Sequence, residues 1–512
     1  MADLLETCPT IGKLVDFQAK KYGDKPFVIS PETGRTVTYG QLGRCIDRIV
    51  ESFHRQGIEK NDKVSIVMPN IAEYTYIFFG AMKMGAVANP INIHLQASEL
   101  HYILEHADSK LVVTTSDYMP LMEEVWQLWG KTIPLAIVDE GCEDLQLQQT
   151  ATGIPSPAVD VSPDDEAELL YTTGTTGRPK GVLLTHSNVL HEAQFIIDGH
   201  GLTEDDRCLC LLPFFHINAE IVNMAAGLLA GSSIILPRRF SAGAFWPALA
   251  RYEATWFNAV PTIYSILLNR PKEEAEGLDL SRIKFGRSAS AALPVSVLQN
   301  FRDRFHIGII ETYGITETAS QVTTNPKETA KQKAGSVGRA QGCRVKVVNK
   351  EGEELPPGQE GEIMVKGRNV MKGYYKNPEA TAEALTPDGW FHSGDLGLLD
   401  DDSVVTITGR IKELIIRGGE NIQPREIDEV LYSHPTIQDA ATVGIPDPFW
   451  GEEVKSFVVL NSGEECSEKE LLEYCNERLA AFKCPKSISF IEDMPKSPGG
   501  KIIRRKLLEQ YI

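Results

Sequence analysis

A chain of 512 residues has room for roughly three folding units of about 150 residues each. Its 42% hydrophobic and 24% charged content is that of a globular protein and excludes a disordered one. Seventy acidic residues against 51 basic ones give a formal charge of −19, which argues against general nucleic-acid binding, because that binding draws its affinity from Lys and Arg neutralising phosphates.

The N-terminus lacks the basic start and apolar run of a signal peptide. In the first 340 residues, strand-like and helix-like patterns alternate. Residues 63–68 read as a buried strand, followed by a helix over 72–84 that stops before Gly85. Further strands are expected over 110–114, 135–138, 233–236 and 307–311, with helical stretches between several of them, which points to parallel sheets with covered faces. The longest apolar run, 224–236, contains glycines and serines and is too short to span a bilayer. Nine cysteines, an odd count spread over the whole chain, suit a reducing compartment, so a cytoplasmic location is expected. Cys208 and Cys210 read as strand residues, since their spacing is not that of a zinc knuckle.

After about Gly335 short β-branched runs (345–348, 362–366, 404–408) are separated by Gly- and Pro-rich turns, the pattern of a small β-rich unit. From Gly409 helices return over 424–433 and 467–481, flanking strands over 440–443 and 455–460. The expected fold is therefore α/β: a large N-terminal domain, 1–409, with two α/β subdomains and a β-rich part at 335–409, then a smaller α+β domain, 410–512.

The strongest chemical signal is the run Tyr171-Thr172-Thr173-Gly174-Thr175-Thr176-Gly177-Arg178-Pro179-Lys180-Gly181, set between two strand-like segments. Glycines let the backbone turn tightly, while hydroxyls, amides and Lys180 can cradle phosphate oxygens. Lys180 lacks the following Ser or Thr of a Walker A loop, so this is a different phosphate loop. Downstream, Phe214-Phe215-His216 sets an imidazole behind two aromatics, a pattern more often met in a packed core. Glu311-Thr312-Tyr313-Gly314-Ile315-Thr316-Glu317 offers an aromatic face, hydroxyls and a hard oxygen donor suited to Mg²⁺. Asp395 closes a tight turn, where a carboxylate can accept both hydroxyls of a ribose. Arg410 and Lys412 begin a cationic turn that leads into Arg417-Gly418-Gly419, and Lys501 ends a glycine loop. Between Lys483 and Lys506 there are seven Lys/Arg and two Asp/Glu, a local reversal of sign that suits a polyanion.

Together and in this order, these segments resemble the adenylate-forming superfamily of acyl-CoA synthetases, adenylation domains and firefly-type luciferases, over nearly the whole chain. The resemblance implies an ATP-dependent carboxylic acid–CoA ligase working through an acyl-adenylate. In that reading the 172–180 loop holds the β- and γ-phosphates, Thr316 the α-phosphate and Glu317 Mg²⁺. Asp395 and Arg410 hold the ribose, and Tyr313 stacks on adenine within the Glu311–Gly314 strand end. Lys501 bridges the carboxylate and the α-phosphate, and His216 borders the acyl pocket. The family's Ser-Gly-Ala-Ala-Pro-like turn becomes Ser288-Ala289-Ser290-Ala291-Ala292 here, which assigns Ser290 and Ala291 to the adenine side. Lys412 matches a hinge about which the C-terminal domain rotates, carrying the Arg417–Gly419 turn into the thiol tunnel in place of Lys501.

The texture around His216-Ile217-Asn218 and 240–246 is similar to crotonobetaine/carnitine-CoA ligases, but medium-chain, cyclic and aromatic acids stay open, as does a core or pocket role for Trp256, Phe257 and Asn258. ATP, Mg²⁺, CoA and a small or medium carboxylic acid are the expected partners, with no nucleic acid, no transmembrane segment and a homodimer left open. A carrier-loading adenylation enzyme, a luciferase-like oxygenase and a non-catalytic nucleotide sensor are the alternatives.

Overall fold

The computed structural model describes residues 2–141, 146–147, 159–172, 179–497 and 500–511. Its N-terminal domain is built on two large sheets. In the first, parallel strands Pro26–Ile29, Ser233–Ile235, Arg207–Cys210, Trp256–Ala259, Phe285–Ser288 and Ile309–Tyr313 lie side by side, closed at both edges by short antiparallel strands. In the second, Lys63–Val67 pairs in parallel with Val87–Pro90 and Ser109–Thr114. The hairpin of Glu166–Thr172 and Lys180–Thr185 joins on the Val87–Pro90 side.

The sequence explains what lies between the sheets. Helix Ala72–Lys83 is apolar on every side and buried along nearly its whole length, as expected of a helix that meets protein in all directions. It ends where expected, with Gly85 at φ 80° just beyond. The 224–236 apolar run is core as well. It begins inside a π-helix, Asn218–Ala225, all of whose residues are buried, and leads into the strand Ser233–Ile235. Among the described residues no helix is long and apolar enough to cross a membrane.

The β-rich part forms a four-stranded antiparallel sheet of Arg344–Val348, Gly361–Lys366, Phe391–Leu399 and Val405–Arg410. A detour from it places Gly373–Tyr374 on the free edge of the second large sheet, against Lys180–Thr185. The C-terminal domain has a core of its own, including Ile415, Ile427, Leu431, Val458 and Leu471. Its central hairpin, Ile437–Asp447 with Gly451–Leu460, is longer than the expected strands because polar and half-exposed residues continue the ladder past the apolar runs.

Candidate active site

A cavity of about 220 Å³ lies beyond the carboxyl ends of Phe285–Ser288 and Ile309–Tyr313, roofed by the β-rich sheet and the C-terminal domain. Carboxyl ends of parallel strands are where open α/β sheets bind ligands. Ser290, Ala291, Glu311, Thr312, Tyr313, Gly314, Asp395, Arg410 and Lys501 all line it, although they span more than 200 positions of the chain.

Asp395 is buried, and both of its oxygens are engaged: Arg410 Nε donates to Oδ1 at 2.7 Å and the Tyr313 hydroxyl to Oδ2 at 2.6 Å. The carboxylate holds the Arg410 guanidinium above its ordinary pKa, and burial holds the Tyr313 phenol well above its own. This fixes the Tyr313 ring as one wall of the cavity. Gly314 must be glycine, because a Cβ there would sit 1.5 Å from the Ser320 carbonyl oxygen. Glu311 accepts the Leu293 N–H at 3.0 Å and so anchors the 290–293 turn; burial pushes its carboxyl up to about 7. Within that turn Ser290 adopts φ 71°, a left-handed conformation uncommon for a residue with a side chain, where the family motif it resembles has small residues.

Lys501 enters from a tight hairpin in which Ser497 N–H donates to the Lys501 carbonyl at 2.7 Å. Gly500, at φ 77°, docks on the N-terminal domain: a Cβ there would lie 2.7 Å from Val260 Cγ2, and Thr262 Oγ1 donates to its carbonyl at 3.4 Å. Burial and the neighbouring Arg410 both lower the Lys501 pKa. Arg504 holds the same domain face together, donating to Glu413 at 3.1 Å and Asp428 at 2.5 Å.

A second cluster forms beside the phosphate loop. Thr173, Gly174, Thr175, Thr176 and Gly177 lie outside the described residues. The loop's base is described: Thr172 Oγ1 donates to the Lys180 carbonyl at 3.4 Å, and Lys180 Nζ lies 4.8 Å from the Tyr374 ring centroid. The Tyr374 hydroxyl donates to Glu317 Oε1 at 2.9 Å, so Tyr374 joins Lys180 to Glu317 across two separate segments. Thr316 opens the short 3-10 turn that carries Glu317. Among the described residues no three His, Cys, Asp or Glu side chains converge to hold a metal. A lone Glu317 carboxylate nevertheless fits Mg²⁺, which is commonly held by one or two carboxylates together with substrate phosphates and water.

His216 stands just before the π-helix, and burial lowers its pKa. Two residues on, Asn218 Nδ2 donates to Ser290 Oγ at 3.1 Å. Arg417, Gly418 and Gly419 are not at the cavity. Arg417 pairs with Glu453 at 2.6 Å and faces the Trp450 ring on the C-terminal domain, while Lys412 is exposed in the turn Ile411–Glu413. Trp256 and Phe257 are core: Trp256 stacks on Phe285, and Phe257 packs edge-on against Phe245. Sequence reading missed Tyr374 beside the phosphate loop and the burial of Arg287 within the strand Phe285–Ser288. For Tyr374 the available signal was the aromatic pair after Gly373; for Arg287 it was a charged residue inside a strand otherwise without charge.

The two-domain α/β fold and this interdomain cavity define an adenylate-forming ligase. The AMP-binding enzyme model matches residues 15–375, and the AMP-binding enzyme C-terminal domain model matches 426–501. A sulfoacetate–CoA ligase of Cupriavidus necator is 41% identical over 98% of both chains, and an oxalate–CoA ligase of Arabidopsis thaliana is 35% identical over 98% of this chain and 99% of its own. A crotonobetaine/carnitine–CoA ligase of Salmonella paratyphi A is 34% identical, over 96% and 97%. Among solved structures, ATP-bound MatB from Rhodopseudomonas palustris superposes with a TM-score of 0.88 at 30% identity, over 98% of this chain and 99% of that one; its apo form gives 0.76 at the same identity and coverage. The chain belongs to the AMP-binding enzyme family, as an ATP-dependent acid–CoA ligase that works through an acyl-adenylate.

Proposed function

We propose that the chain activates a short carboxylic acid, with its domains, divided at 409/410, turning about Lys412 between the two half-reactions. In the first, a carboxylate oxygen attacks the α-phosphorus of ATP. The new C–O–P linkage forms as the α–β anhydride bond breaks and pyrophosphate leaves. Two anions must meet, so oriented cations are needed where charge develops. Lys501 supplies one at the carboxylate and α-phosphate, with Thr316 on the α-phosphate. Lys180 and the 172–177 loop hold the β- and γ-phosphates, Tyr313 covers adenine beside Ser290 and Ala291, and Asp395 with Arg410 holds the ribose. Glu317 would hold Mg²⁺, which when bound offsets the charge of the phosphates.

In the second half-reaction the CoA sulfur, having given up its proton, attacks the acyl carbon, and the acyl–oxygen bond breaks to release AMP. Lys501 cannot occupy the cavity while the thiol enters. The turn Arg417–Gly419 replaces it, and His216 borders the thiol's route to the acyl group. The observation that carries this reading is that Lys501 lies in the cavity with Asp395 and Arg410, while the Arg417–Gly419 turn faces Trp450 outside it. The closer likeness to ATP-bound than to apo MatB agrees with an adenylation orientation. The free state of the eight described cysteines suits the cytoplasm expected from the sequence.

The acid is taken to be short because the relatives named for sulfoacetate and oxalate match over almost the full chain. The test is a panel of carboxylic acids assayed for AMP release with and without CoA. AMP release that needs both an acid and CoA is expected. Release unaffected by CoA but stimulated by a phosphopantetheinyl carrier would favour the carrier-loading reading.

A further inference from the structure

Arg287 lies on the strand Phe285–Ser288 with only 1% of its surface exposed. Burying a guanidinium is costly unless a counter-charge accompanies it. Here every hydrogen-bond partner is a neutral group. Nε donates to His200 Nε2 at 3.1 Å, Nη1 to Asn218 Oδ1 at 2.8 Å and Asn258 Oδ1 at 3.1 Å, and Nη2 to Gln321 Oε1 at 3.2 Å. A guanidinium has five N–H donors, so one on Nη2 has no acceptor among the described residues. Glu192 acts electrostatically on the guanidinium without bonding to it; its Oε1 accepts the Gln321 backbone N–H at 2.7 Å, and burial pushes its carboxyl well up, which weakens it as a counter-charge.

The surroundings continue the same chemistry. Asn258 Nδ2 donates to Asn218 Oδ1 at 3.1 Å and Asn223 Oδ1 at 2.8 Å, and Asn218 and Asn223 both belong to the π-helix. Asn218 then reaches Ser290 Oγ, which lines the nucleotide cavity. A π-helix is rare and is found frequently at functional sites. Behind Ser290, therefore, and buried rather than lining the cavity itself, lie amides around a cation, whereas a pocket for an aliphatic or aromatic tail is predominantly apolar.

We propose that Arg287 is a specificity-determining residue that recognises a second anionic group on the acid, making the substrate a short dianion: one carboxylate presented to Lys501 and a distal carboxylate or sulfonate directed at Arg287. This rests on the ligase reading, with the acyl group entering past His216 and Ser290. An anion gives the guanidinium charge-assisted bonds in exchange for neutral amide acceptors, and these are the stronger kind. A quaternary-ammonium acid would be repelled by the same group, which sets this chain apart from its carnitine-named relatives.

The experiment is pyrophosphate exchange by the full-length enzyme with matched short acids: malonate and sulfoacetate against propionate and butyrate. The wild type should favour the dianions by about 10²-fold or more in kcat/KM, because a site built around a polar group rejects analogues that lack it. Arg287→Gln should collapse that ratio by a similar factor, chiefly through KM for the dianion, with the ATP saturation curve as the internal reference. Arg287→Lys should restore part of it. Should Arg287→Gln fail to fold, the wild-type ratio and the Lys variant still decide. Equal use of mono- and dianions by the wild type, or a Gln variant that weakens both alike, overturns the assignment of Arg287 and leaves the ligase standing. ATP binding without exchange on any acid overturns the ligase reading, and this inference with it.

Discussion

Lys501 is the side chain whose assignment is easiest to test, because the role proposed for it belongs to one half-reaction. Lys501→Ala should lower adenylate formation by about 10²–10³-fold, the scale of losing one donor at a developing charge. Thioester formation from a supplied acyl-adenylate should be largely spared; equal losses in the two assays would refute the division of labour. Asp395→Ala leaves Arg410 and the Tyr313 hydroxyl without their shared acceptor, and should raise the ATP requirement whatever acid is offered. Tyr374 takes the part of a positioning residue if Glu317 holds Mg²⁺ as proposed. Tyr374→Phe keeps the ring beside Lys180 but removes the donor to Glu317. Outer-shell partners of metal ligands are typically worth 10–100-fold, so the Mg²⁺ concentration for half-maximal exchange should rise about tenfold, as Glu317→Gln should also raise it. Titration of ATP binding against Mg²⁺, without acid, reads this independently of turnover; an unchanged curve would remove Tyr374 from the site.

At the scale of elements, the turn Ile411–Glu413 is the proposed pivot between the two orientations. Lys412 is exposed and lies in the first turn of a 3-10 segment, where backbone N–H groups have no partner within the helix and proline is tolerated. Fixing φ there should trap one orientation without unfolding the protein. Lys412→Pro should exchange pyrophosphate rapidly and make little acyl-CoA, the reverse of Lys501→Ala. Normal thioester synthesis would show that the rotation pivots elsewhere. The elements themselves were legible wherever burial is uniform. The strand at 63–68 and the helix after it stand within a residue of expectation because every side chain in Lys63–Val67 is buried and a positive-φ glycine follows the helix. What escaped was non-local. The π-helix is set by packing between two sheets, and its apolar content alone does not distinguish it from an α-helix. Tyr374 gains its meaning only by pairing with Val182, a register no local pattern encodes. Arg287 reads as a solvated charge until the strands on either side of it are known.

For the whole molecule, the two large sheets meet at a pair of buried acids. Glu168, on a strand of the second sheet, and Glu220, on the π-helix packed against the first, face one another, with the Tyr74 hydroxyl donating to Glu220 at 3.2 Å. Burial raises both pKa values, so the folded protein holds a proton that the unfolded chain releases above its ordinary carboxylate range, near about 4.3. Unfolding free energy therefore falls as pH rises beyond that point. Glu168→Gln removes one of the two ionisations. It should flatten this decline and raise the melting midpoint at pH 8 by about 2 °C or more, as a gain of about 1 kcal/mol would. A variant melting in parallel with the wild type from pH 5 to 8 would contradict the retained proton.

Gly500 has a consequence for how the enzyme divides its time. Its missing Cβ lets the Lys501 hairpin rest on Val260, and its positive φ suits no other residue well. Under the proposed rotation, the contact with Val260 exists only while the C-terminal domain faces this way. Gly500→Ala therefore taxes one orientation and leaves its competitor untouched: a clash of about 1–3 kcal/mol redistributes occupancy by roughly 5- to 150-fold. Such an enzyme would dwell in the thiol-accepting pose and wait for its own first step, its apparent affinity for ATP lowered by the fraction of molecules facing the wrong way.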